Sequence, residues 1–274
     1  MISLKYIFID IDGTLTDRNG KVPFSAIEAI KWAREKGHKV FLATGRSKCE
    51  IFDYILDIGF DGIVGAAGGY VAVEGRVIES CSMTKEEAGR IIDILEKNNI
   101  KFSAETDENV YNNKHTQEFL KDVFIRLGRN IETDYFYNMM TRTDNFKEIE
   151  NINKILYYDT DILIEDMRKM VGEKYTIVPY TIKEFGRNSG EVNIKGVTKA
   201  KGIQKVLDYY GGSINDTIAI GDGVNDIEML KFANTGIAMG NSSESLFKHA
   251  DYVTDNVENN GLASAFYKYL RYNL

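Results

Sequence analysis

The chain has 274 residues, 43% of them hydrophobic and 27% charged. That is enough for two domains, or for one large domain with an insertion, held by an ordinary buried core rather than by disulfides. Its net charge of -7 argues against nucleic acid or an anionic membrane as the main partner, though not against a phosphorylated one, because a bound divalent cation reverses the local field.

In chain order, Leu4–Ile9 is a short apolar run that stops at Asp10, the pattern of a buried strand. Pro23 opens a helical pattern through Ile27, Ile30 and Ala33, and Gly37 ends it. Lys39–Leu42 is a second strand, stopping at Ala43-Thr44-Gly45-Arg46. A helix and a short strand at Gly62–Val64 follow, then strands Tyr70–Val73 and Arg76–Glu79 joined at Glu74-Gly75 as a hairpin. The pattern changes after Cys81. Thr84-Lys85-Glu86-Glu87 is a capping box, and Ile91, Ile92 and Leu95 continue it at helical spacing. Strands are expected at Ile100–Ala104, Lys154–Tyr158 and Tyr175–Pro179, with helices near Glu118–Leu127 and Asp161–Val171. This middle region, about residues 82–187, is an α+β insert with its own apolar pattern. The strand Glu191–Ile194 is expected to resume the first style. After it come helix Thr198–Tyr209, strand Thr217–Ile220, helix Asn225–Phe232, strand Gly236–Met239, helix Glu244–Lys248, strand Tyr252–Thr254 and a closing helix from Leu262. Alternation of strand and helix on both sides of the insert predicts an α/β fold, with a parallel sheet covered by helices on both faces.

Polar groups gather just past the ends of the expected parallel strands. Asp10 and Asp12 follow the first, Thr44 the second, and Asp222 and Asp226 follow Thr217–Ile220; Lys199 opens a helix between. Ligands in open α/β sheets bind outside the carboxyl ends of the strands, so these residues can converge on one crevice. Four carboxylates there would repel one another, and magnesium, which prefers oxygen ligands, removes the conflict. Gly13, Gly45, Gly221 and Gly223 allow close backbone approach to an anion, and Lys199 adds a positive charge. Taken singly, each feature is ordinary: an Asp after a strand is usually a turn or cap residue, and a lone lysine is usually solvated. Their order on matching strand ends is what points to a site.

These residues carry a resemblance to the haloacid dehalogenase superfamily, in its Cof-type phosphatase branch with a C2-type cap. Asp10-Ile11-Asp12-Gly13-Thr14-Leu15 resembles its first motif and Thr44-Gly45-Arg46 its second. Lys199 in Thr198-Lys199-Ala200-Lys201-Gly202 resembles the third, and Gly221-Asp222-Gly223-Val224-Asn225-Asp226 the fourth. Ala238-Met239-Gly240-Asn241, with Lys248–Thr254 after it, is similar to the branch's C-terminal stretch. The resemblance implies a Rossmann-like catalytic core at 1–81 and 188–274 and an inserted cap at 82–187. One departure stands out: Gly68, in Ala67-Gly68-Gly69-Tyr70, occupies the usual place of an Asn.

The resemblance further implies a magnesium-dependent phosphatase for small phosphomonoesters, such as sugar phosphates or phosphorylated cofactors. Asp10 would be the nucleophile and Asp12 the general acid–base; Thr44 and Lys199 complete the catalytic set. Gly45, Arg46 and Asn225 would serve the phosphate or substrate, Arg46 either reaching toward the substrate or bracing its loop. Mg2+ would be held by Asp10, the Asp12 backbone carbonyl and Asp222, with Asp226 behind or through a water. Tyr111 and Lys183–Ser189 are candidates for reading the organic part of the substrate, although each is also an ordinary loop residue. A sugar phosphomutase of the same core and cap, and a non-catalytic phosphometabolite binder, are the alternatives. The two cysteines, Cys49 and Cys81, have no C-x-x-C spacing and no nearby His, so they are expected to be reduced packing residues. No stretch is long enough to span a bilayer, and Met1–Asp12 lacks a signal-peptide layout. A cytoplasmic monomer or weak homodimer is expected.

Overall fold

The computed structural model describes residues 4–180 and 182–270. The chain forms two units: one of Met1–Arg46, Ile51–Ser80 and Thr198–Leu274, the other of Ser47–Glu50 and Cys81–Val197.

The first unit begins with β1 (Tyr6–Ile9), α1 (Phe24–Glu35), β2 (Lys39–Ala43), α2 (Asp53–Leu56), β3 (Gly62–Gly65), β4 (Tyr70–Val73) and β5 (Arg76–Ser80). The second unit runs through α3 (Lys85–Lys97), β6 (Lys101–Glu105), β7 (Val110–Asn112), α4 (Lys114–Arg126) and α5 (Tyr135–Met139). It continues with β8 (Thr141–Arg142), β9 (Lys154–Tyr158), α6 (Ile164–Val171), β10 (Tyr175–Pro179) and β11 (Gly190–Ile194). The first unit is completed by α7 (Lys199–Tyr210), β12 (Thr217–Gly221), α8 (Ile227–Phe232), β13 (Thr235–Ala238), α9 (Glu244–Phe247), β14 (Tyr252–Val253) and α10 (Gly261–Leu270).

The first unit's sheet has the order β14-β13-β12-β1-β2-β3-β4-β5. It is parallel from β14 to β3 and antiparallel at the β4–β5 edge. All four residues of β1 are buried, because helices cover both faces of this strand. Ile7 and Ile9 pack on one side with Ala29 and Ile30 of α1 and Phe266 of α10. Tyr6 and Phe8 pack on the other with Ile203 and Val206 of α7 and Met229 of α8. The register sets Ile9 beside both Leu42 and Ile220, so β1, β2 and β12 end level with one another. That levelling brings three loops, distant in sequence, to one edge of the sheet.

The second unit holds a separate sheet, β10-β11-β9-β6-β7-β8, antiparallel except for the β7–β8 pair. Phe102, Ile155, Tyr157 and Val192 face α3 and α6 in one core; Val110, Leu156 and Tyr158 join Leu120 and Phe124 of α4 in another. The expected capping box forms: Glu87 N–H donates to Thr84 Oγ1 at 3.3 Å and Thr84 N–H to Glu87 Oε2 at 2.9 Å. Lys154 is buried, with Glu105 at 2.9 Å, Glu50 at 3.5 Å and Glu191 at 4.0 Å. Only such partners make a buried ammonium tolerable.

Glu191–Ile194 does not resume the first sheet; β11 lies between β9 and β10, and the chain re-enters the first unit at Thr198 rather than at residue 188. Val192 supplies the reason, since its side chain belongs to the second unit's core.

Candidate active site

Asp10 continues β1 by one residue, its N–H donating to the Ile220 carbonyl at 3.0 Å. The chain then turns sharply. Leu15 and Thr16 N–H groups donate to the Ile11 carbonyl at 3.0 and 2.8 Å, and Gly13 N–H to the Thr16 carbonyl at 2.9 Å. Gly13 has φ +81°, and a Cβ there would fall 2.2 Å from Asp222 Oδ2, so only glycine fits. Next to it, Thr14 Oγ1 donates to Asp222 Oδ1 at 3.0 Å.

Lys199 ties the loops together electrostatically. It is the first residue of α7, whose N-terminus Thr198 caps by accepting the Lys201 N–H at 3.3 Å. Its buried Nζ donates to Asp10 Oδ1 at 2.6 Å and to Asp226 Oδ1 at 2.5 Å. Asp226 Oδ2 accepts the N–H groups of Asp222 at 3.0 Å and Gly223 at 2.8 Å. Asp226 therefore anchors both Lys199 and its own loop.

Charge is out of balance. Burial pushes the Asp10 carboxyl up, to about 8, against the pull of Lys199. Burial and then Asp226 push Asp222 up to about 6. Burial opposes the charged form of Lys199, but Asp10 and Asp226 outweigh it and hold the ammonium above its ordinary range. Asp10, Asp222 and Asp226 each present a carboxylate oxygen within 4.8 Å of the others. Three carboxylates against one ammonium leave an excess of negative charge. The all-oxygen donor set is what a hard divalent cation requires, so these residues fit Mg2+.

Thr44 is buried at the end of β2, its N–H bonded to the Val64 carbonyl at 2.8 Å. Gly45 lies near Asn225, whose Nδ2 would be 3.7 Å from a Cβ at that position. Arg46, with two readings open from sequence, makes a two-pronged pair with Asp12: Nε to Oδ2 at 2.8 Å and Nη2 to Oδ1 at 2.6 Å. Its guanidinium also sits over the Phe52 ring, 5.5 Å from the centroid. The Asp12 carboxylate is thus directed to Arg46, outside the three-carboxylate group. Gly68 has φ +102°, and a Cβ there would fall 2.1 Å from the Thr198 carbonyl oxygen. The departure from Asn lets this turn press directly on the start of α7, beside Lys199.

In the second unit, Tyr111 packs half-buried against the core. Within Lys183–Ser189, Ser189 Oγ bonds the Phe185 carbonyl at 2.7 Å, while Arg187 is exposed and pairs with Asp161 at 2.8 Å. Two residues of the first unit had no role assigned from sequence. Thr14 holds Asp222, and Asn241 Nδ2 donates to the Gly13 carbonyl at 2.8 Å. Thr14 lies in the first motif and Asn241 in the Ala238–Asn241 stretch, but only the fold shows what they touch.

The sequence model described as haloacid dehalogenase-like hydrolase matches residues 7–266. The chain is 30% identical to the YkrA protein of Bacillus subtilis over 267 residues, covering 95% of this chain and 96% of the relative. It is 26% identical to the 5-amino-6-(5-phospho-D-ribitylamino)uracil phosphatase YcsE of Bacillus subtilis, covering 96% of this chain and 95% of that one. Among solved structures, the subclass IIB sugar phosphatase BT4131 superposes with a TM-score of 0.75 at 26% identity, covering 97% of this chain and 99% of the other.

Proposed function

The chain belongs to the haloacid dehalogenase-like hydrolases and is a phosphoric monoester hydrolase; on that footing we propose that it is a magnesium-dependent phosphatase of small phosphomonoesters that works through an aspartyl-phosphate on Asp10. The observation that carries this reading is Lys199 Nζ bridging Asp10 and Asp226 with Asp222 alongside. A buried carboxylate held by a lysine at a strand end is a positioned nucleophile.

A carboxylate oxygen of Asp10 attacks phosphorus, and the bond to the leaving oxygen breaks. Asp12, two residues on, keeps one oxygen on Arg46 and, once the other has left the guanidinium and taken up a proton from solvent, hands that proton to the leaving oxygen. The now ionised Asp12 then takes a proton from the water that attacks the aspartyl-phosphate, releasing phosphate and restoring Asp10. Thr44 hydroxyl, Gly45 N–H and Lys199 bind the transferring oxygens, where charge accumulates. Asp10, the Asp12 backbone carbonyl and Asp222, with Asp226 behind them, would hold Mg2+, which would supply charge neutralisation and orientation of the phosphate. Asn225, beside Gly45, serves the phosphate.

The 1–81 and 188–274 segments, adjusted to the unit boundaries above, are read as catalytic core and the intervening unit as a specificity cap. Sugar phosphates and phosphorylated cofactors or their precursors are the substrate class; a sugar phosphatase and a ribitylaminouracil phosphate phosphatase among the relatives support this. The protein is read as a cytoplasmic monomer or weak homodimer without nucleic-acid or membrane partners. Among the described residues no helix is long and apolar enough to cross a membrane. The test is a phosphate-release panel of metabolite phosphates with magnesium and with chelator, using Asp10→Asn as control. Phosphate release that is unchanged by chelator, or that survives in Asp10→Asn, would overturn the reading.

A further inference from the structure

We propose that Asn241 is a positioning residue for this chemistry: its side-chain amide clamps the Asp10–Thr14 turn to the C-terminal segment 254–261. The proposal rests on the function proposed above. Asn241 Nδ2 donates to the Gly13 carbonyl at 2.8 Å, and its Oδ1 accepts the Val257 N–H at 3.1 Å. One planar amide thus joins two loops that lie more than 200 residues apart in sequence.

Both ends of the clamp are anchored. On the C-terminal side, Thr254 N–H donates to the Ala238 carbonyl at 2.9 Å, and Thr254 Oγ1 to the Gly261 carbonyl at 2.7 Å. Gly240, just before Asn241, donates to the Asp255 carbonyl at 3.1 Å, and a Cβ there would fall 2.6 Å from Asn256 Oδ1. The glycine lets the chain pass close enough for Asn241 to reach across. The same strand end also holds the fourth motif, since Met239 N–H donates to the Gly221 carbonyl at 3.0 Å.

On the other side the clamp acts at the weak point of the turn. Gly13, in the left-handed region, has no side chain of its own to restrict its backbone. Its carbonyl belongs to the peptide that leads into Thr14, and Thr14 Oγ1 orients Asp222. Fixing that peptide fixes the Thr14 hydroxyl, and through it a carboxylate of the metal-fitting group. Loss of the Nδ2 donor leaves the Gly13–Thr14 peptide held by the 3.4 Å bond from the Thr14 N–H to the Ile11 carbonyl alone, and loosens the hold of the Thr14 hydroxyl on Asp222. An amide is the side chain that suits the place, because it offers one donor and one acceptor in a plane. Aspartate lacks the donor, and glutamine is one methylene too long.

The test uses the full chain, with Mg2+ binding followed by calorimetry beside steady-state kinetics and thermal melts. Asn241→Ala is expected to weaken Mg2+ binding roughly tenfold and lower kcat by a similar factor, as loss of an outer support does. KM should move by less than about twofold, because the substrate is not touched. Asn241→Asp keeps the acceptor for Val257 but sets an oxygen against the Gly13 carbonyl, so it is expected to fold and to bind Mg2+ at least as poorly. Thr14→Val should act in the same direction, and the double variant should lose less than the sum of the two. Wild-type Mg2+ affinity and kcat in Asn241→Asp would overturn the proposal, whatever the melting temperature. Wild-type protein that binds no Mg2+ would overturn the proposed function, and this inference with it.

Discussion

Arg46 grips Asp12 by both carboxylate oxygens, at 2.8 and 2.6 Å, although the Asp12 side chain is 62% exposed and Arg46 only 19%. The half-buried guanidinium, backed by Phe52, is the fixed member of the pair. It holds an otherwise mobile carboxylate in one orientation. A planar fork matches a carboxylate in a way that an ammonium does not.

Arg46→Lys is therefore expected to lower kcat roughly tenfold while the protein stays folded; the exposure of Asp12 keeps the effect below that of a buried pair. Alkyl phosphates, whose leaving oxygen needs the proton, should suffer more than nitrophenyl phosphate. Equal losses on both substrates would count against an orienting role.

The two first-motif carboxylates should separate by mutation. Asp10→Asn removes the nucleophile that Lys199 holds at 2.6 Å, so no turnover and no phospho-enzyme are expected. Asp12→Asn keeps its backbone carbonyl and loses the proton shuttle, for an expected loss of roughly 10²- to 10⁴-fold. Beryllium fluoride should attach at Asp10 alone. An active Asp10→Asn beside an inactive Asp12→Asn would reverse the two roles.

Gly68→Asn restores the residue the Cof-type branch usually carries, and is expected to do harm here. Its Cβ would meet the Thr198 carbonyl oxygen at 2.1 Å, in a backbone with φ +102°. Strain and overpacking together should cost about 2–4 kcal/mol. Because Thr198 caps α7 and Lys199 follows it, kcat should fall as well. A variant with unchanged urea midpoint and unchanged kcat would show that the turn relaxes freely.

His38 should mark the acid limb of stability. It is buried, its Nδ1 accepts the Lys5 N–H at 3.1 Å, and its Nε2 has no hydrogen-bond partner among the described residues. Burial, with Lys5 nearby, lowers its affinity for a proton below the ordinary value of 6.5. The unfolded chain thus binds a proton that the folded one resists. The His38 contribution is level above that value and turns against the folded state as pH drops below it. His38→Gln lacks this term, so the gap between wild-type and variant urea midpoints should shift with acidification, wild type losing more. Parallel losses across that range would refute the assignment.

Much of this was legible from the amino acids. The strands of the first unit announce themselves as short apolar runs, and polar residues stand just past their ends, so Asp10, Asp222 and Asp226 could be read off as carboxylates that meet at one edge of the sheet. The capping box at Thr84 is likewise local, and it forms as written. What the chain could not show was partnership across distance. Glu191–Ile194 alternates like a strand, but alternation carries no information about the neighbour. The burial of Val192 in the second unit's core decided that. Arg46 suits a substrate or a brace equally well until the turn after β1 places Asp12 within its reach. Gly68 was a missing side chain in sequence and became a close approach to Thr198 only once the two loops met. Residue type and local spacing set which groups can do chemistry and where strands stop. Which of them touch is set by strand register and packing, which are properties of the whole fold.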